Sequence, residues 1–533
     1  MKKTSVIILS CILALSMCAC SETKEDPAAA QDSDVQLSVN SEAVESEIKE
    51  ISAEETAAAA DYETAVFGND ILQVNITADE NEWKEFLENA GSKPWIRCSI
   101  DINGETYNDV GIKTKGNTSL QQLVNDDTTT RYSLKVSFGK YTDGQTCHGL
   151  DKLALNNIYA DSTYLKEYMS YDLMKFMDVP ASLCTFAEIK VNGEHFGFYL
   201  AVEDADDSYI DRIYGSDSGV EAYKPEAMDM DGNKGDFPGN MQPPQMSGQD
   251  GNNGNMQPPQ MPGQDDNNGK PGMEGGKNGV DLKYTDDNED SYSNIFDNSI
   301  TKTDDEDKKR LIASLKKISS GEDIEDCINV DEMLRYIACN VFLVNLDSYL
   351  SSNCHNYILT EDNGKLSMLP WDYNLSFGSY QMGNADDAVN YAIDTVFNGV
   401  SAEERPMVSK LLEKEEYREK YHEYLKEIVE KYVQSGVFAE KVNNITAVID
   451  DYVKNDTTAF DGYDAFKDGV DTLLLFTKLR AESVSGQLAG TIPSTKETQK
   501  ESDKLVDASA VDMKKLGTMN MTQSPENDKS RRS

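Results

Sequence analysis

Two short, largely apolar runs, Asn356–Leu359 and Lys365–Leu369, are separated by Asp362-Asn363-Gly364. Asn-Gly between such runs is the strongest short-range signal for a β-hairpin, because both residues tolerate the positive φ that a two-residue turn demands. A hairpin closes its own ends together, so the residues entering and leaving it can face one cavity. Both flanks are acidic here: Asp347 precedes the hairpin and Asp372 follows it, 25 positions apart. Ahead of them runs Val330–Val344, an apolar segment opened by Asp331, which predicts a helix with Asp331 as its N-cap.

Two readings of the acidic pair compete. Asp at a strand end often only shapes a turn by bonding its own backbone two residues on. Asp372, however, sits in WDYNLSFG between Trp371, Tyr373 and Phe377, where an unpaired charge is expensive. Either a metal ion or a neighbouring cation resolves that cost, and the sequence leaves both open. The order helix, Asp-bearing loop, hairpin, Asp-bearing loop matches the catalytic half of a kinase-type phosphotransfer site. There one Asp accepts the substrate hydroxyl proton and the other holds Mg²⁺ on the nucleotide phosphates.

Upstream, Lys113-Thr114-Lys115-Gly116-Asn117-Thr118-Ser119 suits a tight turn whose successive N–H groups form an anion-binding nest, with Lys115 adding a point charge. An ordinary strand-to-loop turn with solvated lysines fits the same composition. Arg131–Phe138 alternates as a strand and places Lys135 where a kinase lysine stands, with Arg131 as a further phosphate contact. Such a lysine needs an acidic partner on the next helix. Ser162–Met177 is that helix, with Leu165, Met169, Leu173 and Phe176 on one stripe, and its Glu167 can pair with Lys135 or Lys115. Phe186–Asp204 reads as a second hairpin turning at Val191-Asn192-Gly193-Glu194, and Tyr223-Lys224 can contribute to the same cleft.

Several stretches carry a family resemblance, in order: VGIKTKGNTSL, YSLKVSFGKY, KLALNN, YLKEYMSYDLM, VNGEHFGFYLAVED, SYSNIFDN, KRLIASLKKI, NLDSYLSSNCHNYIL and LPWDYNLSFG. Together they resemble the spore-coat protein H (CotH) kinase family from roughly Asp70 to Gly378, with a looser helical continuation to about Leu488. The resemblance implies an α+β, atypical bilobal protein-kinase-like fold over residues 66–490, with a mostly helical C-terminal part. It implies phosphorylation of Ser or Thr hydroxyls on a secreted or surface, spore-coat-like protein, using ATP with Mg²⁺ or Mn²⁺. Carried over by motif, Asp347 is the catalytic Asp, Asp372 and Asn356 hold the metal, and Glu203 lies at the adenine pocket. Lys115, Arg131, Lys135 and Glu167 complete the nucleotide site. The chain departs from ordinary kinases in three ways. The usual metal-binding Asn lies five residues past the catalytic Asp, whereas here Asn353 and Asn356 fall six and nine past it, with Asn374 a further candidate. DFG is replaced by WDYNLSFG, and no G-x-G-x-x-G occurs.

The remaining sequence supplies context. Residues 1–19 carry Lys2, Lys3 and an apolar run, as in a secretory signal peptide, and Cys20 reads as a lipid acceptor. Those features place the protein on the extracytoplasmic face of a bacterial membrane, held by lipid alone. Residues 20–65, acidic and nearly free of aromatics, read as a disordered tether. Residues 225–279 hold the direct repeat NMQPPQMSGQDGNNG/NMQPPQMPGQDDNNG and read as a flexible insertion. Ala402–Val433, with Leu411, Leu412, Tyr417, Tyr421, Leu425 and Ile428 facing inward, and Val437–Leu488 read as helical; residues 491–533 read as a disordered tail. A formal charge of −45 opposes nucleic-acid binding and leaves a protein substrate as the expected partner of a monomer. The scattered cysteines contain no C-x-x-C, which leaves disulfides and free thiols both open. Two other functions use the same residues: a catalytically silent CotH-like surface adhesion module, and a two-carboxylate glycan hydrolase.

Overall fold

A computed structural model describes residues 61–68, 71–226, 279–517 and 519. The expected signal peptide, Cys20, most of the tether and the repeat of the insertion lie outside the described residues. The first described element corrects the tether boundary. Helix α1 (Asp61–Ala65) buries Tyr62, whose hydroxyl donates to Glu203 at 2.5 Å, so the ordered chain starts before residue 66.

Alternating apolar residues build the N-terminal sheet. Strand β1 (Ile71–Thr77) points Leu72, Val74 and Ile76 to one side, as period-2 patterning demands. Helix α2 (Glu80–Glu88) follows, capped by Asp79, and then β2 (Ile96–Ile102) and β3 (Glu105–Thr114). A short helix α3 (Thr118–Val124), β4 (Leu134–Ser137), β5 (Lys152–Asn156) and helix α4 (Lys166–Phe176) come next, before β6 (Cys184–Val191) and β7 (Glu194–Glu203). These seven strands form a closed barrel ordered β1-β2-β3-β4-β5-β7-β6, in which the β1–β6 closure is parallel and the other pairings are antiparallel. Closure removes the unpaired edges that an open sheet would expose. The β6–β7 hairpin turns at Asn192-Gly193, both at positive φ, as its sequence predicts.

The rest of the described chain is mainly helical. A three-stranded sheet joins β8 (Glu221–Tyr223), β9 (Tyr357–Asp362) and β10 (Lys365–Pro370) in the order β10-β9-β8. The β9–β10 hairpin turns at Asn363-Gly364, with φ of 50° and 81°. Helix α5 (Val330–Leu343) is the central rod, buried almost throughout its last three turns. Its N-cap is Asn329 rather than Asp331. Asp331 lies within the first turn and accepts from Arg335 Nε at 2.8 Å and from the Tyr424 hydroxyl. Helices α6 (Glu415–Glu427) and α8 (Tyr463–Leu488) pack against it, and α7 (Val437–Asn455) packs on α8 and on the π-helical turn Ile428–Val433 that follows α6. The stretch Ala402–Val433, expected to be helical, is broken at Pro406 and again after Leu412, and Val437–Leu488 is interrupted between Asn455 and Tyr463. Among the described residues no helix is long and apolar enough to cross a membrane. All six cysteines among the described residues are free thiols.

The expected disordered tail needs correcting as far as residue 517. Val506 exchanges hydrogen bonds with the Asn390 side chain through its N–H and C=O, at 2.9 Å each. Ala508, Val511 and Leu516 are buried. The wholly buried Lys166 ammonium donates to the Gly517 carbonyl at 3.2 Å, and also to Ala160 O and Ser379 Oγ at 2.8 Å each.

The last carbonyls of α5 lie beyond the regular helical ladder, although Val341 O accepts from the Val344 N–H of the cap at 3.3 Å. Arg480, wholly buried on α8, meets them: it donates to Val341 O at 3.0 Å and Phe342 O at 3.3 Å, and with the same guanidinium to Val389 O and Tyr391 O. Burial pulls its pKa down to about 10, which leaves it charged at neutral pH. Arg480→Met takes a donor from all four acceptors. Val341 O keeps the Val344 N–H and Tyr391 O keeps Gln487 Nε2, while Phe342 O and Val389 O lose the guanidinium. Each unmet acceptor costs about 1–3 kcal/mol, and one buried charge is relieved. The expected net loss is roughly 3–5 kcal/mol in urea unfolding; a loss under about 1 kcal/mol would mean that the helix end is satisfied some other way.

Candidate functional site

A cleft of about 390 Å³ opens between the barrel and the helical part. The barrel contributes Lys113 and Thr114 from the end of β3, the turn Lys115–Ser119, Lys135 from β4 and Asn156 from β5. Asp347, Asn353, His355, Asn356, Trp371 and Asp372 line the facing wall, from the two loops that flank the β9–β10 hairpin. The structure thus brings both predicted carboxylates into one cavity, and brings the predicted lysine-bearing turn opposite them.

The C-terminal end of α5 places Asp347. The chain leaves the helix through Val344, a β-branched residue at φ 49°, which is a costly conformation held by its surroundings. The N–H groups of Phe377 and Gly378 donate to Leu343 O and Val344 O at 2.6 and 3.2 Å. Those bonds pin the loop that bears Asp372 to the helix end that launches Asp347. Arg405, wholly buried, holds the Asp347 loop by donating to Tyr349 O and Ser351 O at 2.7 and 2.6 Å. The Asp347 carboxylate then accepts from Asn353 Nδ2 at 2.8 Å and Asn356 Nδ2 at 3.0 Å, and His355 Nε2 lies 3.0 Å from it. Burial works against charge on His355, but Asp347, and more weakly Asp372, raise its pKa above the ordinary value. His355 is not among the site residues expected from sequence, because nothing beside it marks it as a partner of Asp347, eight positions upstream.

A relay of side chains crosses the cleft from barrel to hairpin. Lys115 Nζ donates to Asn156 Oδ1 at 2.5 Å, and Asn156 Nδ2 donates to Glu167 Oε2 at 2.8 Å. The Tyr171 hydroxyl donates to Glu167 Oε1 at 2.9 Å and accepts from the Asp372 backbone N–H at 3.0 Å. Asp372 itself sits at φ 58°. Burial, then the nearby Asp372 charge, pushes the Glu167 pKa up to about 7, against the pull of Lys115 and the bonds from Asn156 and Tyr171.

Lys135 does not meet Glu167, as one expectation had it. Its ion pair is with Asp204, at 2.5 Å. Register explains this: Lys135 lies opposite Ala154, which lies opposite Val202, and Asp204 shares the face of Val202. Burial opposes both charges, yet the pair holds Lys135 above its usual pKa and Asp204 below. Strand parity turns Glu203 to the other face, which corrects its placement at a nucleotide pocket. Glu203 is wholly buried, accepts from Arg212 Nη2 at 2.6 Å and does not line the cleft. Arg131 also lies outside the cleft. It is buried against Asp456, Asn157 O and Phe198 O, so it ties the barrel to α7 instead of meeting phosphate. Lys224, in contrast, does reach the cleft and stands 4.3 Å over the Trp371 ring, with Lys115 at 5.5 Å. Burial and then repulsion from Lys135 bring the Lys224 pKa down to about 8.

A divalent ion fits the donors present. Among the described residues no group of three or more His, Cys, Asp or Glu could form an all-protein cage. Mg²⁺ needs none, since it is held by one or two carboxylates together with substrate phosphates. Asp372 offers such a carboxylate, and Asn356, whose Nδ2 is committed to Asp347, keeps Oδ1 for a cation. Asn374 also lines the cleft, though its Nδ2 donates to Tyr159 O.

The family model described as CotH kinase protein matches residues 112–484, more than half of the chain. The inner spore coat protein H of Bacillus subtilis (strain 168) is 23% identical over 326 residues, covering 60% of this chain and 74% of that protein.

The raised pKa of Glu167 has a signed consequence. Its neutral form favours the folded state, so this contribution is complete below about pH 4.5 and is lost as pH rises through about 7. Glu167→Gln mimics the neutral form. Between pH 5 and 8, without added metal, the native protein should lose roughly 3 kcal/mol more than this variant in urea unfolding. Parallel pH profiles would show that Glu167 titrates normally.

Proposed function

The chain belongs to the CotH kinase protein family, and on that premise we propose that it is an atypical protein kinase that moves the γ-phosphoryl group of ATP to Ser or Thr hydroxyls. The observation that carries this reading is the meeting, in one cleft, of Asp347 and Asp372 with the ammonium groups of Lys113, Lys115, Lys135 and Lys224. Carboxylates suit an acceptor hydroxyl and a metal, and clustered ammoniums suit a polyphosphate. The barrel and the helical part are read as the two lobes of a kinase-like fold.

Asp347, oriented by Asn353 and Asn356, accepts the proton of the acceptor hydroxyl as its oxygen bonds to the γ-phosphorus. The bond from that phosphorus to the β–γ bridging oxygen breaks, and ADP leaves. His355 offsets the negative charge of Asp347, which otherwise repels the incoming phosphates. Lys115 and Lys224 flank Trp371, so two cations are presented to the phosphate chain. Bound Mg²⁺ or Mn²⁺, held by Asp372 with Asn356, would neutralise charge on the phosphate oxygens. Tyr171 and Glu167 fix the backbone of Asp372 relative to Lys115. The acceptor is a protein, used by a monomeric enzyme tethered through lipid on Cys20 to the outer membrane face.

Purified protein with labelled ATP, Mg²⁺ or Mn²⁺ and a Ser-rich acceptor should incorporate label. Asp347→Asn and Asp372→Ala should each lower the rate by about 10²–10⁴. Nucleotide should still raise the Tm of Asp347→Asn, because that residue acts on the hydroxyl. Absence of both label and a nucleotide-induced Tm shift in the native protein would replace the kinase with a silent surface-binding module.

A further inference from the structure

The turn that leaves β7 carries two adjacent carboxylates that serve opposite sides of the sheet. Asp204 pairs with Lys135 of the cleft at 2.5 Å. Burial works against its charge, yet Lys135, then Lys224 and Lys115, hold the carboxyl below its ordinary pKa. Three ammonium groups of the cleft therefore lean on this one anion. Glu203 points the other way and takes four donors. Its Oε1 accepts from the Tyr62 hydroxyl at 2.5 Å and from Arg212 Nε at 2.8 Å. Its Oε2 accepts from Arg212 Nη2 at 2.6 Å and from the Leu183 N–H at 3.0 Å. The Tyr62 oxygen also lies 3.1 Å from Ser208 O, so one hydroxyl meets both ends of residues 203–208. Tyr62 and Val66 are buried among the barrel's apolar side chains, which docks α1. Phenylalanine would fill the same space; the hydroxyl adds its hold on the turn.

We propose that Tyr62 is a positioning residue for the nucleotide site: by fixing Glu203 it sets Asp204, and through Asp204 the ammonium of Lys135. The inference rests on the kinase reading and names the part of the chain that tunes its affinity for ATP. Glu203 and Asp204 share one rigid peptide unit, so moving the anchor of the first carboxylate moves the backbone of the second. Lys152 and Asp151, at the start of β5, brace the same turn through Asp206 at 2.5 Å and the Ser208 N–H at 3.1 Å. Tyr62 is the contact that comes from ahead of the barrel. Undocking α1 therefore loosens the turn without breaking a strand of the sheet. Affinity for ATP is thereby linked to the state of the N-terminal segment, a coupling between two places with no contact between Tyr62 and nucleotide.

The test uses full-length protein, calorimetric titration with ATP and Mg²⁺, and KM and kcat with labelled ATP and a Ser-rich acceptor. Tyr62→Phe keeps the ring and its packing and removes the hydroxyl. It should weaken ATP binding and raise KM for ATP roughly fivefold, the low end of coupling between sites, with kcat within about twofold of native. Lys135→Met should weaken ATP binding too, and adding Tyr62→Phe to it should weaken binding no further. A Tyr62→Phe protein with lowered Tm but native affinity for ATP makes the hydroxyl a support of the fold alone and overturns the proposal. Additive losses in the double variant overturn it as well, because the hydroxyl then acts on some other group. Acceptor labelling by Tyr62→Phe that matches native protein at every ATP concentration removes this inference and leaves the kinase standing. Native protein that neither binds ATP nor labels the acceptor removes both readings together.

Discussion

The carbonyls at the end of one buried helix govern the geometry of the whole cleft. Val330–Leu343 ends inside the protein, where water cannot meet its last acceptors. The fold answers with Arg480 on one side and the N–H groups of Phe377 and Gly378 on the other. The second answer has functional weight, because those N–H groups belong to the loop that carries Asp372. The helix that ends at Leu343 also launches Asp347. Hydrogen-bond satisfaction at a helix terminus and juxtaposition of two acidic side chains are therefore one structural event. The hairpin between them closes the loop, but the helix end sets its registration.

The same economy recurs across the cleft. The proposed reading asks for a cationic group over the phosphates, tied to the element proposed to hold the metal. Here Lys115 reaches Asp372 through Asn156, Glu167 and Tyr171, and no direct lysine–glutamate pair is used. The lysine that does own a carboxylate, Lys135, takes it from the end of its own sheet. Arg405 then fixes the far side of the Asp347 loop through backbone carbonyls alone.

Much of this was legible in the sequence, and the boundary of legibility has a physical cause. Asn363-Gly364 and Asn192-Gly193 announced their turns because positive φ restricts residue identity locally. Asp347, Asp372 and Lys115 followed from those turns and from motif order. Long-range charge partners did not follow. Nothing near Arg131 reveals that Asp456, 325 positions away, will claim it. Glu203 and Asp204 are adjacent, and only strand register says which of them faces Lys135. Arg405 and Arg480 were invisible for a further reason: they bind carbonyl groups, which every residue carries. Helix periodicity found the C-terminal half but not its breaks at Pro406 and after Leu412, nor the packed strap, whose polar composition disguises how many backbone groups it satisfies.

Placing an amide between lysine and glutamate changes how the assembly responds to acid. An ion pair weakens when its carboxylate takes up a proton, and the two elements it joins drift apart. Asn156 accepts with one end and donates with the other, and Glu167 Oε2 remains an acceptor from it whether or not Oε1 is protonated. Within the Lys115–Asn156–Glu167 arm each hydrogen bond keeps its donor and acceptor in either protonation state, while the bond from Tyr171 to Oε1 is the one that a proton there displaces.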